Sequence, residues 1–127
     1  MAILRTAIKI SNPLLEDMEP VIAVCVVNRS LFRQFIISKE IAEKLELKEV
    51  QKRQEKIGDS PEEIYSYVGP IKIDFNGRIG FSGALINNID ENKSCYLGSI
   101  TMDDMNLVIF NEPKIELGFN PKSVIVK

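Results

Sequence analysis

Residues Val21 to Leu47 read VIAVCVVNRSLFRQFIISKEIAEKLEL, and the rest of the chain can be arranged around them. The stretch opens on an unbroken apolar run, Val21 to Val27, bounded by Pro20. A strand without polar alternation is the pattern of one buried on both faces. The run stops at three polar residues, Asn28-Arg29-Ser30. Leu31 to Ile37 is rich in β-branched and aromatic residues, which predicts further extended chain. Ser38 is an N-cap candidate for a helix of about two turns whose buried stripe is Ile41, Leu45 and Ala42. A buried strand that delivers a polar triplet to the middle of a molecule is a common way to mount a site.

Outward from that stretch the signals are mainly those of short strands. Ile3 to Ser11 alternates, with Ile8 and Ile10 on one face and Arg5, Ala7 and Lys9 on the other. Asn12-Pro13 breaks it, and Leu14 to Pro20 reads as an acidic turn. Glu49 to Ile57 is charged and predicts one arm of a hairpin with its tip at Gly58-Asp59-Ser60-Pro61. The returning arm, Ile64 to Phe75, carries Tyr65, Tyr67 and Val68. Asn76-Gly77 between Ile71–Phe75 and Arg78–Phe81 predicts a type I′ turn, because both central positions need φ > 0. Ala84 to Ile86 continues the returning strand, Asn87 to Lys93 is a polar loop, and Ser94 to Leu97 is a short buried strand. Gly98 suits a tight turn into a helix in which Thr101 and Asp104 have capping-box spacing. Leu107 to Phe110, Lys114 to Phe119 and the tail Val124 to Val126 are further strand candidates.

This order of elements resembles the retropepsin-like aspartic proteases. In that family an apolar strand ends in Asp-Thr-Gly-Ala and is followed by an apolar segment and a helix like the one at Ser38 to Leu45. Val68-Gly69-Pro70-Ile71-Lys72-Ile73 with Gly77-Arg78 is similar to the family's mid-chain hairpin. Tyr96-Leu97-Gly98, then Ile100 to Met105 and Asn106-Leu107-Val108, is similar to its apolar-apolar-Gly-helix signature. The resemblance runs over most of residues 3–119. It implies a mainly β, retropepsin-like acid protease barrel with two short helices, formed by residues 1–127 as a single domain. It also implies a homodimer, and a hairpin that acts as a flap over an extended peptide.

The signature triplet departs from the family at all three positions. Asn28 stands where the resemblance puts the catalytic aspartate, Arg29 where it puts the threonine, and Ser30 where it puts the glycine. Aspartic proteolysis needs two carboxylates about 3 Å apart sharing one proton. An amide has no titratable proton in the working range and cannot deprotonate water. The expectation is a catalytically inactive homologue that serves as a peptide-binding or assembly domain, with Gly58, Asp59 and Ser60 at the flap tip as peptide-binding candidates. The alternative is an active endopeptidase using another carboxylate. Among these, Asp59 reads as turn chemistry, Asp103 and Asp104 as residues of a helix start, and Asp74 and Asp90 as turn-flanking surface residues.

Composition bounds the remaining classes. The chain has 127 residues, enough for one core, with 45% hydrophobic and 27% charged residues. A net charge of −2 makes no electrostatic case for nucleic acid. The longest apolar run falls far short of the about 20 residues that span a bilayer, and no signal-peptide core opens the chain, so a cytoplasmic location is expected. Histidine is absent, which removes Ser-His and Cys-His triads and the commonest zinc ligand. No metal or cofactor is expected. Cys25 and Cys95, both in apolar strands, read first as buried free thiols and second as a disulfide.

Overall fold

A computed structural model describes residues 4–29, 32–87, 95–111 and 114–119 of the chain. Among them are strands β1 (Leu4–Ser11), β2 (Val21–Val27), β3 (Ile36–Ile37), β4 (Lys48–Glu55), β5 (Glu63–Phe75), β6 (Arg78–Ile86), β7 (Cys95–Leu97), β8 (Leu107–Phe110) and β9 (Glu116–Phe119). Two short helices, α1 (Lys39–Lys44) and α2 (Ser99–Asp104), complete the set. The main sheet runs β1-β2-β7-β3-β6-β5-β4, and β1 also pairs with β5. Six strands therefore close into a ring and β4 is left outside it. Strands β8 and β9 form a separate antiparallel pair.

Local chemistry explains the elements that the sequence predicts. In β1 the side chains of Ile8 and Ile10 are buried and those of Arg5, Ala7 and Lys9 are exposed, the period of two expected of a half-buried strand. Asn76 and Gly77 have φ of 49° and 91°, as a type I′ turn demands, and Asp74 Oδ1 accepts a hydrogen bond from the Gly77 N–H at 2.9 Å. Ser38 caps α1 by accepting from the Ile41 N–H at 3.2 Å. Both helices end in a left-handed residue, Glu46 (φ 52°) and Asn106 (φ 56°).

Two layers of apolar side chains result. The larger lies inside the ring and includes Ile8, Ile10, Cys25, Val27, Phe35, Ile37, Ile71, Ile73, Cys95 and Leu97. The smaller lies on the other face of the same wall, where Val26, Phe32, Ile36 and Leu85 gather. Strand alternation produces both at once, since Val26 sits between Cys25 and Val27, and Ile36 between Phe35 and Ile37.

Several sequence expectations need correction. Strand β2 is not buried on both faces throughout: Ile22 is 70% and Val24 38% exposed, whereas Val26 is 8% exposed. Among the described residues the second side is covered at Val26, which packs with Phe32, Ile36 and Leu85. The extended stretch predicted for Leu31 to Ile37 shortens to Ile36–Ile37, and residues 32–35 are irregular. Thr101 does not begin a capping box. Gly98 is the N-cap of α2, there is no side-chain cap, and Thr101 is buried inside the helix. Asp103 and Asp104 accordingly stand at the C-terminal end of α2, not its start. Gly98 is also extended (φ −102°), so tight packing rather than a turn explains it, as shown below. Cys25 and Cys95 are joined as a disulfide, since β2 and β7 run parallel with these two residues in register. The tail Val124 to Val126, Asp90 and most of the Asn87 to Lys93 loop lie outside the described residues.

Candidate functional site

Strand β2 carries Asn28 to the junction of the ring with α2. The Asn28 N–H donates to the Leu97 carbonyl at 3.3 Å, and the Asn28 carbonyl accepts from the Phe32 N–H at 3.2 Å. The loop that follows is then tied to the start of α2: Ser99 and Ile100 donate their N–H groups to the carbonyls of Phe32 and Arg33, both at 3.0 Å. These are two of the N–H groups that a helix start leaves without an intrahelical partner. The close approach requires Gly98, because a Cβ there would lie 2.6 Å from the Arg33 carbonyl carbon.

Arg29 turns onto α2. Its Nη1 lies 2.7 Å from Asp103 Oδ1, with side-chain exposures of 43% and 63%. The hydrogen bond from Arg29 is the main cause holding the Asp103 carboxyl below its ordinary range, and the same contact raises the Arg29 guanidinium. An acid in the last turn of a helix faces the negative end of its dipole, and Arg29 offsets that. Ser30, the third residue of the triplet, lies outside the described residues.

Over the smaller apolar layer lies the β4–β5 hairpin. Its Ile57, Tyr65 and Tyr67 pack against the layer, as does Tyr96 of β7. The Phe32 and Tyr96 rings stack with centroids 4.4 Å apart and planes 16° apart. Tyr67 lies against Gly83, where an added Cβ would clash with the end of its ring, and the Arg53 guanidinium sits 3.8 Å from the centroid of that ring. Glu49, Ser66 and Lys52 bind one another across the hairpin: Ser66 Oγ and Lys52 Nζ donate to Glu49 Oε1 at 2.6 and 2.9 Å. The Ser66 bond, then the Lys52 bond, hold the Glu49 carboxyl below its usual range. Burial, then the hydrogen bond to Glu63, pushes the Tyr65 phenol up.

The predicted hairpin tip is a turn. Gly58 has φ 58°, the Ser60 N–H donates to the Ile57 carbonyl at 3.0 Å, and Asp59 and Ser60 are exposed. The structure therefore brings Asn28 and Arg29 together at one end of β2, and carries Gly58, Asp59 and Ser60 at the tip of a separate hairpin. The residues that sequence reasoning passed over are Phe32, Tyr65, Tyr67 and Tyr96. Tyr65 and Tyr67 are two apart on one strand, a spacing that places them on one face, and this was the available signal. Among the alternative acids, Asp103 is bound to Arg29 and Asp74 to its own turn.

No family model and no curated protein matches the sequence. Solved structures do match the fold. The protease of EIAV, complexed with the inhibitor HBY-793, aligns with a TM-score of 0.54 and 17% identity over 82% of this chain and 88% of that one. The retroviral protease-like domain of Ddi1 from Leishmania major aligns with a TM-score of 0.53 and 9% identity over 94% and 98% of the two chains. The chain has the retropepsin-like fold. Identities this low speak for the fold alone. The retropepsin-like ring accounts for the strand that ends at Asn28, for the Tyr96-Leu97-Gly98 step into α2, and for the hairpin over the wall between them. No helix among the described residues is long and apolar enough to cross a membrane.

Proposed function

We propose that this retropepsin-like domain has lost the aspartic-protease dyad and works as a homodimer that binds an extended peptide or protein segment. What supports the reading is Asn28 at the end of β2, in the loop held to Leu97 and to the start of α2. By its resemblance to the family this position takes the catalytic aspartate. An amide there can donate and accept hydrogen bonds but cannot act as the base that activates water. Arg29, in the position of the family's threonine, is occupied in its ion pair with Asp103. Gly58, Asp59 and Ser60 at the hairpin tip are the backbone that would meet a peptide, which fits such sites by strand addition.

We place the protein in the cytoplasm, without nucleic acid or membrane as partner and without a metal or cofactor. Against that placement stands the Cys25–Cys95 disulfide, a bond that a reducing compartment opposes. Thiol counting on protein purified anaerobically from cells tests this.

The decisive experiment is cleavage of a peptide library between about pH 4 and 7. The native protein is compared with a variant carrying Asn28→Asp, Arg29→Thr and Ser30→Gly, and the mass of both is measured in solution. Cleavage by the variant alone, from a dimer, is the expected result. Cleavage by the native protein would overturn the reading and direct attention to a carboxylate such as Asp59.

A further inference from the structure

The turn that joins β5 to β6 holds the atoms of a reaction as well as the shape of a hairpin. In Asn76-Gly77 the second residue has no side chain to crowd the approach of its own backbone nitrogen to the asparagine Cγ. Both residues are exposed, and a Cβ built on Gly77 meets nothing within 4 Å beyond its chain neighbours, so solvent water reaches the turn. One contact opposes the reaction. The Gly77 N–H, which carries the nitrogen that would react, donates to Asp74 Oδ1 at 2.9 Å. That bond holds the turn with Asn76 and Gly77 at φ 49° and 91°, next to the Phe75↔Arg78 pair that closes the hairpin.

We propose that Asn76 is a site of spontaneous deamidation and that Asp74 restrains it. The inference is independent of the peptide-binding reading. In the reaction the Gly77 nitrogen gives up its proton and bonds to Asn76 Cγ, and the side-chain nitrogen leaves as ammonia. The product is a cyclic imide. Water then adds to one of its two carbonyl carbons and the C–N bond there breaks. Aspartate results, or isoaspartate with the main chain rerouted through Cβ and Cγ. While the Gly77 N–H is bound to the Asp74 carboxylate its nitrogen is directed away from that attack, so the turn must first open locally. The product reaches beyond the turn. Isoaspartate adds a backbone carbon to a turn whose length sets the hairpin register. The adjoining Arg78 donates from Nη1 to the Met105 carbonyl at 3.1 Å, and its guanidinium lies 4.2 Å from the centroid of the Phe119 ring. Deamidation therefore shifts the anchor that joins β6 to the end of α2 and to β9.

The test uses the full chain, native and as Asp74→Ala and Asp74→Asn, aged at neutral pH both folded and in urea. Peptide mapping that separates aspartate from isoaspartate measures the product at position 76. Each folded rate is referred to that of the same chain in urea, which cancels the direct effect of the substituted side chain. In urea Asn76 is expected to react ahead of Asn106 and Asn111, which precede leucine and glutamate. Folded, the native chain reacts more slowly than in urea, and Asp74→Ala narrows that gap about two- to tenfold, the opening that loss of one hydrogen bond allows. Asp74→Asn, which keeps an acceptor oxygen, falls between. A folded native chain as fast as the chain in urea, or an Asp74→Ala ratio equal to the native one, overturns the inference. If Asp74→Ala has lost its native circular dichroism, Asp74→Asn decides alone: a ratio above the native one upholds the restraint, and an equal ratio overturns it. The isoaspartyl chain, separated from aged protein, is expected to show shifted NMR signals at Met105 and Phe119, and unmoved signals overturn the consequence drawn for Arg78.

Discussion

Arg29 and Asp103 are joined by a 2.7 Å ion pair that ties the loop after β2 to the last turn of α2. That pair accounts for the arginine. Its side chain is half exposed and partnered, so no unpaired charge is buried.

The Arg29–Asp103 pair makes a small contribution that depends on pH in a defined direction. The Asp103 carboxyl titrates lower in the folded chain than its usual 3.8 because Arg29 donates to it. Its stabilisation is therefore complete above the unfolded value and is lost as pH falls through the lower, folded one. A double-mutant cycle with Arg29→Gln and Asp103→Asn should show coupling at pH 7 that fades below the ordinary aspartate range and in high salt. Coupling that grows on acidification would contradict the sign.

Gly98→Ala should destabilise the fold by about 1–3 kcal/mol. The added Cβ meets backbone of Arg33 and Gln34 at 2.6–2.7 Å, and backbone cannot yield as a side-chain tip can. Thermal unfolding measures the loss. The amides of Ser99 and Ile100, which bond to the same loop, should lose protection first.

Glu46→Gly should stabilise the chain by about 1 kcal/mol. Glu46 ends α1 at φ 52°, in the left-handed region where a Cβ is penalised and glycine is the usual residue. Asn106 holds the matching position after α2 at φ 56°. Asparagine tolerates that region, so Asn106→Gly should change the denaturation midpoint less than Glu46→Gly does.

Gly83→Ala should displace the Tyr67 ring and leave the ring of strands intact. The three atoms nearest the new Cβ all belong to the far end of the Tyr67 side chain. Two-dimensional NMR should show shifted signals at Tyr67 and Arg53, with Ile71 to Phe75 unchanged. Disturbance spread through β1 and β2 would show that the hairpin and the ring are one packing unit.

Much of the fold was legible because it rests on interactions within a few residues. Alternation in β1, the Ser38 cap, the Asn76-Gly77 turn and the hairpin arms all follow from side-chain direction, capping and allowed φ, which the neighbouring residues decide. The reading failed where those local rules gave more than one answer. Thr101 and Asp104 have capping-box spacing, yet the backbone of Phe32 and Arg33 serves the start of α2. The apolar run Val21 to Val27 suggested two buried faces, but Ile22 and Val24 are exposed, because apolar residues outside a core carry no local mark.

By itself the sequence determined the succession of short strands, the two helices, the hairpins and the polar triplet at the end of the central strand. Only the tertiary structure decided which distant residues meet. Closure of the ring between β1 and β5 and the parallel register of β2 with β7 set Cys25 opposite Cys95. The docking of α2 brought Asp103 to Arg29, and the folding of the hairpin over the wall assembled Phe32, Tyr96, Tyr65 and Tyr67. Each of these depends on strand register across dozens of residues. Register is settled by how all the faces bury together, and no short stretch carries that information.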